Sequence, residues 1–237
     1  MTPLLFACAI PNLSHTVRSC IHHCPLRDSD ETVVVNGKAH TLTDGKKTFR
    51  DVRWIHVRNY GYVFPKPLTL DLLVGSTTRS YSYINQRYGS ARKYTRRFYT
   101  VTVDHGSSPK AGHYNAVIHP AVTASRTRAL ADDPAVQVAS SKAAHVVKDT
   151  STGATVCVFF GKDRIDGFRA DRPLVVVVTN GETGSRVSVQ DPTHRGGKVE
   201  LRIPFVLSGP ATKSDGNGTI VSVELQKGYP RTVEFGR

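Results

Sequence analysis

The chain has 237 residues, enough for one large β domain or two smaller ones with a substantial core. Its 39% hydrophobic and 22% charged residues exclude a disordered tail, and no apolar run approaches the roughly 18–20 residues that span a bilayer, so no membrane span is expected. A net charge of +13 at pH 7 favours polyanionic partners: nucleic acid first, an anionic membrane or glycan second.

In chain order, PLLFACAI at residues 3–10 has the look of a short signal-peptide h-region, but no basic n-region precedes it and no clear small-residue cleavage site follows. Residues 1–30 are read as an N-terminal extension without fixed structure. Cys8, Cys20, His22 and Cys24 are weak metal-ligand candidates, with His15 and His23 nearby. Their C-x11-C-x3-C spacing matches no strong zinc pattern, so neither a metal nor a cofactor is expected. A chain this long does not need disulfide staples, and its four cysteines are expected to be reduced.

From residue 31 the chain reads as strand. ETVVVNGKAHTLT at 31–43 sets an Asn-Gly turn between two β-rich runs, a strong hairpin signal. TFRDVRWIHVR, LTLDLLV and HYNAVIHP follow as further strands. AVTASRTRALAD at 121–132 is the one predicted helix, stopping at Asp133-Pro134. GATVCVFF and RPLVVVVTN are continuous apolar runs suited to strands buried on both faces, and GKDRIDGFRAD between them reads as a loop. From Val199 to Leu207 apolar residues occupy the odd positions, with Pro204 pointing to an edge or bulge. The predicted fold is all-β, mainly antiparallel β-sandwich or sheet, with one short helix near 121–132. Residues 31–134 and 135–237 are read as two β modules, or as one domain.

Between Lys46 and Val103 twelve Lys and Arg face only Asp51 and Asp71, so most of the surplus charge lies in this stretch. Its densest part is RSYSYINQRYGSARKYTRRFYTVTV at 79–103, with no acidic residue. A core wants the rings without the charges, and a solvated face wants both signs of charge. The stretch is expected to be a hairpin exposing Arg79, Tyr81, Tyr83, Arg87, Tyr88, Arg92, Lys93, Tyr94, Arg96, Arg97 and Tyr99 to single-stranded nucleic acid. Cations there would neutralise phosphates while rings stack on unpaired bases. Val101 and Val103 point to the core. No G-x-S-x-G elbow, H-E-x-x-H or phosphate-binding glycine loop is present, so no catalytic residue is assigned and no enzyme is expected.

The early hairpin, the basic strands 46–103 and the Ala/Arg helix after a sheet together resemble, as a class, the coat proteins of small single-stranded RNA viruses, including RNA phages. That resemblance implies a viral coat protein that self-assembles as a homo-oligomer, packages single-stranded RNA, and is found in the virion and, during assembly, in the host cytoplasm. Two other readings stay open: a non-capsid RNA-binding protein such as a viral movement protein, and an extracellular β-sandwich that binds acidic glycans.

Overall fold

A computed structural model of the chain describes residues 4–10, 14–27, 31–110, 112–181, 184–209, 212–214 and 216–236; side chains of residues 4–10, 112 and 113 lie outside the description. The chain divides into two compact units, Met1–Asp133 and Pro134–Arg237. Both are built of antiparallel sheet, and among the described residues there is a single short α-helix. No helix among them is long and apolar enough to cross a membrane.

The first unit contains β1 (Leu4–Ile10), β2 (Thr16–Pro25), β3 (Thr32–Val35), β4 (Lys38–Thr41), β5 (Gly45–Val57), β6 (Tyr60–Ser80), β7 (Lys93–Ser107), β8 (Gly112–Pro120) and helix α1 (Ala124–Asp132). The β3–β4 hairpin turns at Asn36-Gly37, both with positive φ (47° and 91°), as a two-residue primed turn requires. Long β6 is the spine of the eight-stranded sheet. Its Tyr60–Val63 stretch lies between β5 and β8, and Leu70–Ser80 pairs with β7, whose far side carries β2. Leu4–Ile10 is an edge strand paired with β8.

Alternate residues of these strands fill one core. Val52, Leu70, Leu72, Val101 and Val103 join Tyr62, Phe64 and Tyr99 in one buried cluster. Thr123 caps α1, its Oγ1 accepting the Arg126 N–H at 3.2 Å, and the helix stops before Asp133-Pro134. Its buried Thr127 sits over Gly61, where a Cβ would stand 2.3 Å from Thr127 Oγ1.

The second unit holds β9 (Val136–Ser140), β10 (Ala144–Asp149), β11 (Ala154–Phe159), β12 (Asp163–Ile165), β13 (Phe168–Ala170), β14 (Leu174–Gly181), β15 (Gly184–Gln190), β16 (Gly197–Ile203), β17 (Thr212–Ser214), β18 (Thr219–Leu225) and β19 (Arg231–Gly236). A six-stranded sheet runs β19-β15-β14-β11-β10-β9 and a five-stranded one β12-β13-β16-β18-β17. Val176, Val178, Val187 and Val189 from the first and Phe168, Leu201, Ile203, Val221 and Val223 from the second form one apolar core. That is the arrangement of a β-sandwich.

Three local expectations change. Within the N-terminal extension read as lacking fixed structure, Thr16–Pro25 forms strand β2 paired with β7 and Leu4–Ile10 forms β1 paired with β8. The stretch GKDRIDGFRAD is a tight β12–β13 hairpin turning at Asp166-Gly167, both with positive φ (51° and 81°). Strand β16 ends at Ile203, before Pro204, and has neighbours on both sides, so the proline terminates it rather than marking an edge. Cys20, Cys24 and Cys157 are free thiols.

Candidate functional site

The β6–β7 ribbon carries the cationic-aromatic segment at its end. Its last ladder pairs are Thr77 with Arg96, Thr78 with Thr95, Arg79 with Tyr94 and Ser80 with Lys93. Beyond Ser80 the chain leaves the strand for a 3-10 turn at Tyr81–Tyr83. Tyr81 and Tyr83 are therefore presented from a turn.

The connection is built from its own hydrogen bonds. The N–H groups of Ile84 and Asn85 donate to Tyr81 O at 3.1 and 3.0 Å, and Gly89 N–H donates to Asn85 O at 2.8 Å. Asn85 Oδ1 accepts the N–H groups of Arg87 and Tyr88, each at 3.1 Å, as Asn does in such turns. Only glycine fits at 89, because a Cβ there would lie 2.3 Å from Tyr81 O and 2.5 Å from Asn85 O.

On this frame Tyr81, Tyr83 and Tyr88 are 63%, 75% and 77% exposed, far more than a core ring allows. Arg79 lies over the Tyr83 ring at 5.2 Å, Arg87 over Tyr88 at 5.2 Å and Arg92 over Tyr94 at 5.3 Å. Each such pair contributes about 0.5–1 kcal/mol at an exposed site. The guanidinium covers one face of its ring, so charge and flat apolar surface are offered side by side. Lys93 and Arg96 are exposed beside them. Among the described residues no carboxylate pairs with any cation of the tip except Arg97, which binds Asp44 at 2.7 Å.

Two members of the expected set thus differ. Arg97 is partly neutralised by Asp44. Tyr99 is fully buried: it shares strand parity with Val101 and Val103, and its hydroxyl meets His22 Nε2 at 2.8 Å. It belongs to the core and is no ligand contact.

The weak metal candidates also have other engagements. His22 Nδ1 contacts the Tyr62 hydroxyl, so both ring nitrogens are committed to phenols. Cys24 Sγ accepts Arg58 Nη1 at 2.8 Å, Cys20 is exposed, and the side chain of Cys8 lies outside the described ones. Among the described residues no three His, Cys, Asp or Glu side chains converge as a metal site.

Sequence reasoning did not single out the network behind His22. Arg58, in a left-handed conformation (φ 55°), binds Glu31 through Nε and, at 3.1 Å, through Nη2, while its Cζ lies 5.7 Å from the Tyr99 ring centroid. Burial, then the nearby Arg58 charge, lowers the His22 pKa; burial raises those of Tyr62 and Tyr99. Both His22 nitrogens are thus engaged by phenol hydroxyls, and neither is left for a metal.

With this geometry in place, comparison with known proteins gives a family. The model described as polysaccharide lyase family 8, super-sandwich domain, matches residues 11–131, and that of the family's C-terminal β-sandwich domain matches residues 138–200. A hyaluronate lyase of Thermasporomyces composti is 29% identical over 157 residues, covering 65% of this chain and 20% of the relative. The xanthan lyase of Bacillus sp. (strain GL1) is 29% identical over 134 residues, covering 52% and 14%. The chain thus spans a fifth or less of these curated relatives. A solved Paenibacillus xanthan lyase shares the fold with a TM-score of 0.89 at 21% identity, over 99% of this chain and 25% of that one.

These findings overturn the coat-protein reading, with its RNA partner, shell assembly and virion and host-cytoplasm location, and the movement-protein reading with it. They also overturn the expectation that no enzyme is involved, since the matched relatives are lyases. The physical reason is plain. Rings beside guanidinium groups suit any polyanion, and the coat-protein likeness rested on composition and element order without a motif.

Proposed function

The chain belongs to polysaccharide lyase family 8, and on that premise we propose that it is the β-rich, substrate-gripping portion of a lyase for an acidic polysaccharide. In this reading the β6–β7 hairpin tip is the gripping surface. The observation that carries it is the stacking of Arg79, Arg87 and Arg92 on Tyr83, Tyr88 and Tyr94, with no carboxylate paired to any of the three arginines among the described residues.

An acidic polysaccharide combines regularly spaced anions with sugar rings whose C–H faces are apolar. The tip answers both. Guanidinium groups pair with carboxylate or sulfate in fork geometry, and the free ring faces pack on the sugars. Net charge of +13 also steers such a chain inward from a distance, an effect that salt screens. Of the three readings open from sequence, acidic-glycan binding is the one that family membership favours. No residue here is assigned a catalytic role.

Titration of the chain with hyaluronan, xanthan and the neutral glucan dextran over a salt series tests the reading. Binding to at least one acidic polymer, weakening steadily with salt, and none to dextran is expected. Equal affinity for dextran, or no affinity for any acidic polymer, overturns it.

A further inference from the structure

We infer that the outer face of the five-stranded sheet in the second unit carries a separate site for an acidic sugar unit, read by a transverse row of arginines. Arg164 on β12 is the register partner of Arg169 on β13, and Arg169 is the partner of Arg202 on β16. Each is flanked by residues that enter the core: Ile165, Phe168 and Ala170, and Leu201 and Ile203. All three therefore project from the same outer face. Adjacent strands lie about 4.8 Å apart, so three guanidinium stems rise side by side, and like charges directly opposite destabilise a sheet.

Among the described residues no ion pair accounts for Arg164 or Arg169 in this row: those of the unit join Lys148 to Asp166, Arg172 to Asp171 and Asp191, and Arg186 to Glu234. Arg202 is held in place, donating from Nη1 to Gly167 O at 2.8 Å. A side chain at 218 would crowd its guanidinium, since a Cβ there would stand 3.1 Å from Cζ and Nη2. One cation of the row is thus fixed by the backbone and two are available to a ligand.

The row lines a concave space of about 790 Å³, which also receives Lys162, Asp163, Asp171, Glu200 and Ile220. That lies within the range of about 300–1,000 Å³ typical of small-molecule sites. The mixture of charges selects the ligand. A bare phosphate or a uniform polyanion gains nothing from Asp171 and Glu200. A hydroxylated monoanion uses both signs, with its carboxylate or sulfate in the arginine forks and its hydroxyls donating to Asp171 and Glu200, while Asp163 is engaged by the Ser141 hydroxyl. The site is argued from its own lining; only the choice of a uronate oligosaccharide as probe rests on the function proposed above.

The test uses the full chain carrying Arg79→Ala, Arg87→Ala and Arg92→Ala, so that binding at the hairpin tip does not contribute. Titration with a hyaluronan hexasaccharide is expected to give saturable shifts of the amide signals of Arg164, Arg169 and Glu200. Adding Arg164→Gln and Arg169→Gln should weaken this binding roughly tenfold or more, with an unchanged circular dichroism spectrum and an unchanged or raised thermal midpoint. Absence of those shifts, or unaltered affinity in the double Gln variant, overturns the site whatever happens at the tip. A lowered midpoint in that variant would make the arginines structural and overturn it too. Equal saturation by inorganic sulfate would reduce it to a bare anion site and overturn the saccharide assignment.

Discussion

The hydroxyl of Tyr99 meets His22 Nε2 at 2.8 Å, and the two rings also stack at 5.2 Å between centroids. Tyr99 has no exposed surface, so its hydroxyl has no water to fall back on. Tyr99→Phe is expected to leave a half-buried imidazole nitrogen without its partner, costing about 1–3 kcal/mol. Chemical denaturation reads this directly, and an unchanged midpoint would show the contact to be idle.

The same histidine sets a pH dependence. Burial, then Arg58, lowers the His22 pKa, with His23 also lowering it and Glu31 opposing; burial is likewise the leading cause for His40, His105 and His119, each lowered. A depressed histidine pKa means that the unfolded chain binds the proton more readily. Stability is therefore full above the ordinary histidine value of about 6.5 and is lost as pH falls through and below it. The carboxylates Glu31, Asp71 and Asp191 are also lowered, and their contribution fades only below the ordinary carboxylate range of about 4. The urea midpoint should fall between pH 7 and 5, and His22→Gln should flatten part of that fall. A flat wild-type profile would contradict the assignment.

Gly61 is required by the docking of α1. A Cβ at 61 would stand 2.3 Å from Thr127 Oγ1 and 2.9 Å from its Cγ2. Gly61→Ala is expected to cost about 1–3 kcal/mol by overpacking, with part of the loss recovered in Gly61→Ala/Thr127→Ala. Thermal or chemical denaturation of the two variants measures this; a neutral Gly61→Ala would mean that the helix shifts freely on the sheet.

Cys157 is fully buried, and burial pushes its thiol up to about 12. The thiolate is the reactive form. Alkylation followed by peptide mass spectrometry should label Cys157 only after unfolding, and labelling in the native protein would contradict the packing.

Much of the architecture is legible in the sequence. Asn36-Gly37 announces its hairpin, Asp133-Pro134 stops the helix, and the parity of Val199, Leu201 and Ile203 marks the dry face of β16. The same parity rule places Tyr99 with Val101 and Val103 in the core, a signal that the surrounding positive charge obscures. The hairpin tip is legible as a cationic, aromatic surface because the rings and cations are contiguous. Its partner is not, since guanidinium and phenol groups answer phosphate, sulfate and carboxylate alike. The row of Arg164, Arg169 and Arg202 is illegible for a different reason: strand pairing, and not sequence distance, makes them neighbours.

The central claim is that the tip of the β6–β7 ribbon grips an acidic polysaccharide. The measurement that tests it most directly is the salt dependence of hyaluronan binding for the wild-type chain and for Arg79→Ala/Arg87→Ala/Arg92→Ala. The account predicts that the variant keeps its circular dichroism spectrum, binds at least about tenfold more weakly at low salt and loses most of the salt dependence. A folded variant with wild-type affinity and wild-type salt dependence would contradict it.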